Sequence, residues 1–148
     1  MVSENVERSL PYTVERLFDL AADVERYPEF LRWWIAAHIR QREANIYYTD
    51  QVLGFGPLRV QFGSKTILCR PERIEVTSDQ PPFRRFRLSW SFKPQPGPCC
   101  KVRLMVEIEF RSRLLERLVE HVLVAAMADI IGAFETRAHQ LCGITETK

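Results

Sequence analysis

The feature that most constrains the fold is a regular alternation of apolar and polar residues in the second half of the chain. Between residues 100 and 110 every second position is apolar: Cys100, Val102, Leu104, Val106, Ile108 and Phe110. The same alternation places Phe86, Leu88, Trp90 and Phe92 on one side of the preceding segment. A period of two buries one face of a strand and leaves the other in water, so it predicts an antiparallel sheet.

Five further strands are predicted upstream from the same kind of pattern. They are Val2–Leu10, a segment in which Ile35, Ala37 and Ile39 alternate with polar or small residues, Ile46–Leu53, a segment with Leu58, Val60 and Phe62 on one face, and Arg73–Thr77. The sequence Gly54-Phe55-Gly56-Pro57 between two of them is typical of a turn.

Three segments have helical spacing instead. Thr13 is in position to cap a first short helix, and a second short helix is predicted over Val24–Leu31, with a break at Pro28. Ser112 is expected to cap a long last helix that ends near Leu141. That helix is apolar nearly all round between residues 122 and 127, which predicts burial on more than one side or contact with something apolar besides the sheet.

Length and charge narrow the class of protein. The chain has 148 residues and no repeat or linker, so we expect one domain over residues 1–148. Its net charge of +2 is too small to predict a nucleic-acid partner, and no DNA partner is expected. The first ten residues lack the apolar core of a signal peptide, so a cytoplasmic protein is expected.

Composition also argues against metal and catalytic sites. The four cysteines form no C-x-x-C pair, which predicts reduced thiols and no zinc site. The three histidines are scattered and have no nucleophile motif beside them, so no catalytic residue is assigned and a protein that is not an enzyme is expected. No cofactor is expected either.

The predicted order is a strand, two short helices, six strands and a long helix. One long helix cannot fill the whole concave face of a strongly curved sheet, so a cavity is expected between them. Its predicted walls are apolar residues of the sheet and the last helix: Val60, Phe62, Leu88, Trp90, Leu104, Val106, Val122, Ala126 and Ile130.

The segment after the first helix, Asp23 to Trp34, is unusually aromatic for its length. Its large side chains are predicted to line or close the entrance of the cavity: Tyr27, Phe30, Leu31, Trp33 and Trp34. The alternative from periodicity alone is that they belong to the ordinary core. Tyrosine and tryptophan also suit a membrane interface, because each has an apolar body and a polar edge.

Four stretches of the sequence carry a family resemblance: "LPYTVERLFDLAADVERYPEFL", "VLGFGPLRVQFGSKTIL", "PPFRRFRLSWSF" and "VEIEFRSRLLERLV". Together they resemble the coenzyme Q-binding branch of the START-like, polyketide cyclase-like superfamily, over nearly the whole chain. The family usually continues Phe-Leu-Pro, where this chain has Arg32-Trp33-Trp34, so the shape of the entrance is expected to differ.

The resemblance implies an α+β helix-grip fold, in which a curved antiparallel sheet wraps around a long C-terminal helix. It also implies an apolar cavity for a polyisoprenoid quinone such as ubiquinone, bound as a ligand, and a role in delivering or using that quinone in respiration. The bacterial branch includes ribosome-association toxins, so a ribosome-binding translation regulator is the alternative. A cyclase or aromatase enzyme is the third possibility.

Three charged residues have two interpretations each. Arg84 and Arg85 are predicted to lie in a loop, where they would meet either the phosphates of an anionic inner membrane or those of ribosomal RNA. Asp129 is the one charge between Val122 and Phe134. It is expected to reach solvent or pair with an arginine, and its functional alternative is contact with a quinone head group.

Overall fold

Seven strands form a single antiparallel sheet in the computed structural model, which describes residues 1–55 and 57–146. The strands are β1 (Val2–Leu10), β2 (Trp34–Glu43), β3 (Ile46–Phe55), β4 (Leu58–Cys69), β5 (Arg73–Ser78), β6 (Phe83–Gln95) and β7 (Cys99–Phe110). Their spatial order is β1-β7-β6-β5-β4-β3-β2. The predicted α+β helix-grip architecture is confirmed.

The two short helices follow β1, as predicted. Helix α1 (Val14–Ala22) begins at Thr13, whose hydroxyl accepts a hydrogen bond from the Arg16 N–H at 3.4 Å. A 3-10 helix then spans Val24–Glu29 and contains Pro28. It ends two residues before the predicted Leu31, because the chain must turn there into β2.

The long helix α2 (Arg113–Glu146) begins after Ser112, whose hydroxyl accepts from the Leu115 N–H at 3.4 Å. It continues past the predicted end at Leu141, since a glycine such as Gly143 weakens a helix by about 1 kcal/mol relative to alanine without stopping it. Of the two expectations for residues 122–127, burial on more than one side is wrong, because Val124 is 62% exposed. Contact with something apolar besides the sheet stays a prediction.

The helices cover different parts of the concave face. Helix α2 packs on β1 and β7, α1 packs on β5 and β6, and the 3-10 helix packs on β2. The core between them includes Trp90, Leu104, Ile131 and Phe134, each at most 1% exposed. The concave face of β3 and β4 lies between these helix contacts, and its side chains are described next.

Candidate ligand-binding site on the concave face

Four buried polar side chains lie together on the concave face of the two strands β3 and β4. They are Thr49, Gln51, Ser64 and Thr66, and none is more than 6% exposed. Thr49 lies directly opposite Ser64 in the strand register, and Gln51 lies opposite Phe62. Thr66 lies opposite Val76, which belongs to the apolar face of β5. These four residues, the polar cluster, therefore interrupt an otherwise apolar surface.

Part of the polar cluster is satisfied by an internal chain of hydrogen bonds. The Trp34 indole N–H donates to the Gln51 side-chain carbonyl at 2.8 Å. The Gln51 amide donates to the Ser64 hydroxyl at 2.7 Å, and that hydroxyl donates to the Thr49 backbone carbonyl at 3.3 Å. This chain fixes the side chain of Trp34 against β3.

The side-chain hydroxyls of Thr49 and Thr66 take no part in this chain of hydrogen bonds. Both residues are 0% exposed, and neither hydroxyl has a hydrogen-bond partner among the described residues. A buried polar group without a partner costs about 1–3 kcal/mol of stability. Two such groups on one apolar wall are complementary to a ligand that brings hydrogen-bond acceptors into the interior.

Tyr27 adds another polar group to the interior. Burial raises the pKa of its hydroxyl, the nearby indole N–H of Trp90 lowers it, and Asp23 raises it further. The hydroxyl donates to the Ala21 backbone carbonyl. The Trp90 N–H lies close enough to influence that pKa but has no acceptor in normal hydrogen-bonding geometry. It is therefore another buried donor available to an acceptor.

An opening of about 200 Å³ lies between the segment after the 3-10 helix and helix α2. Its lining includes Phe30, Leu31 and Trp33 on one side and Ile130 on the other. The Arg32 guanidinium spans it to the Asp129 carboxylate at 2.6 Å and lies 5.3 Å from the centre of the Trp33 ring. The prediction that Asp129 pairs with an arginine is confirmed.

The predicted entrance residues divide into two groups. Phe30, Leu31 and Trp33 line the opening, whereas Tyr27 and Trp34 lie behind it, at 3% and 6% exposure. The Tyr27 ring meets the rings of Phe30 and Trp34 edge to face, with centroids 6.0 and 5.5 Å away. Aromatic contacts therefore connect Phe30, at the opening, with Tyr27 and Trp34. Trp34 in turn is hydrogen-bonded to Gln51 of the polar cluster.

The predicted cavity walls belong to the hydrophobic core. Seven of them are at most 4% exposed: Val60, Phe62, Leu88, Trp90, Leu104, Val106 and Ala126. Ile130 also lines the opening, and Val122 is half-buried at the margin of the core. That these side chains line a ligand cavity stays a prediction.

The sequence reasoning missed the polar cluster. The available signal was the parity of β3, in which Tyr47, Thr49, Gln51 and Leu53 share one face. Two polar residues at inward positions of a half-buried strand are unusual, because burying an unpaired hydroxyl or amide is costly.

The predicted loop position of Arg84 and Arg85 is wrong, because both lie inside strand β6. The register shifts between Phe83, which pairs with Phe110, and Arg85, which pairs with Glu109. Arg84 is the extra residue of a β-bulge, which lets two successive side chains be exposed. Both line a groove on the convex face, away from the opening between the 3-10 helix and α2.

Residues 1–55 and 57–146, the described part of the chain, contain neither a metal-binding cluster nor a helix suited to crossing a membrane. No group of three or more His, Cys, Asp or Glu side chains there is placed to hold a metal ion. Among the helices of that same part of the chain, none combines the length and the apolar character that crossing a bilayer requires.

A curved seven-stranded sheet closed by a C-terminal helix, with short helices after the first strand, is the fold of START-like proteins. A START superfamily protein from Mycobacterium smegmatis has this fold, with a TM-score of 0.81, 14% identity and coverage of 94% of this chain and 98% of that one. The chain belongs to the family described as polyketide cyclase / dehydrase and lipid transport, whose model matches residues 10–135.

Two curated relatives have more specific names. The chain is 30% identical to the ribosome association toxin RatA of Pseudomonas aeruginosa, over 96% of this chain and 100% of that protein. It is 25% identical to the mitochondrial coenzyme Q-binding protein COQ10 of Dictyostelium discoideum, over 97% of this chain and 72% of that protein. The resemblance to the polyketide cyclase-like family is therefore confirmed, and its named relatives include a coenzyme Q-binding protein and a ribosome association toxin.

Proposed function

We propose that the protein binds a polyisoprenoid quinone of the ubiquinone type on the concave face of the sheet, without catalysing a reaction. The observation that carries the proposal is the pair of buried, unpartnered hydroxyls of Thr49 and Thr66. A benzoquinone ring offers carbonyl and alkoxy oxygens, which accept hydrogen bonds and donate none. Threonine hydroxyls are able to donate to them, and the surrounding apolar residues suit the isoprenoid tail.

The opening beside Trp33 is the proposed route of entry. At about 200 Å³ it is smaller than the roughly 300–1,000 Å³ of sites for drug-sized ligands. Entry of a quinone therefore requires the 3-10 helix or α2 to move outward. The exposed Arg32–Asp129 ion pair is the direct polar link between the segment after the 3-10 helix and α2 at this point.

A binding protein of this kind would support the delivery or use of ubiquinone in respiratory electron transport, which is the role implied by similarity to the coenzyme Q-binding relative. Uptake of such an apolar ligand requires at least transient contact with a membrane. Peripheral contact with an anionic inner membrane, from a cytoplasmic location, is accordingly part of the proposal.

The second candidate function is translation regulation on the ribosome. It is favoured by the similarity to the RatA relative, which extends along almost the entire chain. The third possibility, a cyclase or aromatase, is favoured by the family description. The described residues at the opening do not add support, because they include no cluster of acid and base side chains.

Lipid extraction tests the proposal directly. The protein is isolated from its natural host under mild conditions, extracted with organic solvent and analysed by mass spectrometry. The expected result is a stoichiometric amount of ubiquinone or a related prenylquinone. An extract without prenylquinone, combined with no binding of added ubiquinone by the purified protein, would contradict the proposal.

A further inference from the structure

A basic groove of about 680 Å³ crosses the convex face of the sheet, and of the polar cluster only Ser64 belongs to its lining. Five basic residues line it: Arg40, Lys65, Arg84, Arg85 and Arg87. Two acidic residues, Glu75 and Asp79, also line it, so the lining has an excess of three positive charges. The whole chain has a net charge of only +2. Positive charge is therefore concentrated in this groove.

Ion pairs within the protein neutralise two of the five basic residues. Arg40 pairs with Asp50 at 3.0 Å, and Arg87 lies between Glu75 and Glu107 at 3.2 and 3.8 Å.

The other three, Lys65, Arg84 and Arg85, are exposed and have no ion pair with any residue that the structure describes. They are the cations that remain available to an external anion.

The strand register explains why these three side chains share one surface. Lys65 lies opposite Thr77, and Thr77 lies opposite Arg87, so this row crosses the convex face from β4 to β6. The bulge in β6 adds Arg84 and Arg85 at the end of the groove.

The floor of the groove is held in place by hydrogen bonds. The Gly63 N–H donates to the Gln80 side-chain carbonyl at 2.8 Å, and the Ser78 hydroxyl donates to the Gly63 carbonyl at 2.6 Å. These hydrogen bonds therefore stabilise the part of the sheet that carries the basic side chains.

We propose that this groove binds the sugar-phosphate backbone of single-stranded RNA through Lys65, Arg84 and Arg85. Arginine and lysine are the usual partners of backbone phosphates. The half-buried ring of Tyr48 lies directly opposite Lys65 in the register and offers an aromatic surface on which a base is able to stack. Lys65, Arg84 and Arg85 lie outside the polar cluster, so the proposal does not depend on the proposed quinone site.

The shape of the surface favours RNA over a lipid bilayer. Peripheral membrane sites combine basic residues with exposed apolar side chains that insert between the lipids. The large apolar side chains that the structure shows as exposed are Met1, Ile35, Leu114, Leu118, Val124 and Leu141. None of these lines the basic groove, most of whose lining residues carry a charge, a hydroxyl or an amide.

Fluorescence anisotropy with a labelled single-stranded RNA of mixed sequence, measured over a series of salt concentrations, tests the proposal. The triple variant Lys65→Gln/Arg84→Gln/Arg85→Gln should bind RNA at least about tenfold more weakly at low salt. The slope of log affinity against log salt should also become shallower by about 2, because each phosphate contact on a single strand contributes roughly 0.7.

The matched control removes the same charge elsewhere. Arg59, Arg73 and Arg117 are exposed and lie outside the groove, so Arg59→Gln/Arg73→Gln/Arg117→Gln should retain RNA affinity and slope. Arg84→Lys/Arg85→Lys should retain most of the binding, and circular dichroism should show every variant folded.

The proposal would be overturned if the unaltered protein did not bind RNA, or if both triple variants lost the same RNA affinity. It would also be overturned if the three groove residues affected binding to phosphatidylglycerol vesicles but not binding to RNA. Ubiquinone binding by the groove variant should be unchanged, which separates this test from that of the quinone site.

Discussion

The Arg32 guanidinium lies 2.6 Å from the Asp129 carboxylate and joins the segment before β2 to the middle of α2. The same guanidinium lies over the Trp33 ring. The pair spans the opening that Phe30 and Trp33 line, which is the proposed route of entry for the ligand. Because both side chains are well exposed, the pair contributes at most about 1 kcal/mol to stability. Its position gives it more influence on access to the interior than on folding.

Arg32→Ala should therefore speed the entry and release of ubiquinone severalfold while changing the free energy of unfolding by less than about 1 kcal/mol. Stopped-flow tryptophan fluorescence measures the rates. The control is Arg26→Ala, which removes exposed ion pairs to Asp23 and Glu29, at the start and end of the neighbouring 3-10 helix. Asp129→Asn should behave as Arg32→Ala does. Rates equal to those of the unaltered protein in both variants would show that the ion pair does not control access.

The two adjacent tryptophans should respond differently to replacement. Trp34 is buried, donates to Gln51 and meets the Tyr27 ring, so Trp34→Ala should lower the free energy of unfolding by about 3–5 kcal/mol. Trp33 lines the opening and is only half-buried, so Trp33→Ala should cost less stability but weaken ubiquinone binding. Denaturant titration and ubiquinone titration separate the two effects. An unchanged affinity in Trp33→Ala would place the entrance elsewhere.

Cys100 gives a prediction for alkaline pH. The thiol is fully buried, and burial raises its pKa from the ordinary 9.0 to about 11, with a smaller opposing effect from a hydrogen bond to the Lys93 backbone. Between these two values the unfolded chain has lost this proton and the folded chain still holds it. The free energy of unfolding should therefore fall as the pH rises from about 9 to about 11.

Replacement of the thiol isolates this contribution. Cys100→Ala should flatten the alkaline decline in the denaturant midpoint, whereas Cys69→Ala, which removes an exposed thiol, should leave it unchanged. A decline of the same steepness in Cys100→Ala and in the unaltered protein would refute the assignment.

The sequence predicted the sheet well because burial on one face imposes a strict period of two. Strands as long as β7 carry enough alternating positions to fix both their extent and their buried face. Local departures from that rule were not predictable. The bulge at Arg84 adds one residue to β6, and no glycine or proline occupies the bulge to indicate it in the sequence. The two arginines were therefore assigned to a loop.

The candidate site was only partly predictable for a related reason. Aromatic residues near Pro28 indicated an entrance, but their pattern did not distinguish Trp33, which lines the opening, from Trp34, which is held by Gln51. The pairing of Thr49 with Ser64 depends on the register between β3 and β4, which a strand pattern alone does not specify. The polar cluster therefore became visible only in the folded chain.

The central claim is that the buried hydroxyls of Thr49 and Thr66 hold the head group of a quinone. Replacement of threonine by valine removes the hydroxyl and nearly preserves the shape. Because neither hydroxyl has a partner, Thr49→Val/Thr66→Val should leave the ligand-free protein at least as stable as before. Thr77→Val is the matched control, since Thr77 lies on the convex face.

The most direct measurement is a ubiquinone titration of these variants, followed by quenching of tryptophan fluorescence. The account predicts that the unaltered protein and Thr77→Val bind ubiquinone equally. It predicts that Thr49→Val/Thr66→Val binds about tenfold more weakly for each hydrogen bond lost, at about 1.4 kcal/mol per factor of ten. A stable Thr49→Val/Thr66→Val variant that binds ubiquinone as tightly as the unaltered protein would contradict the claim.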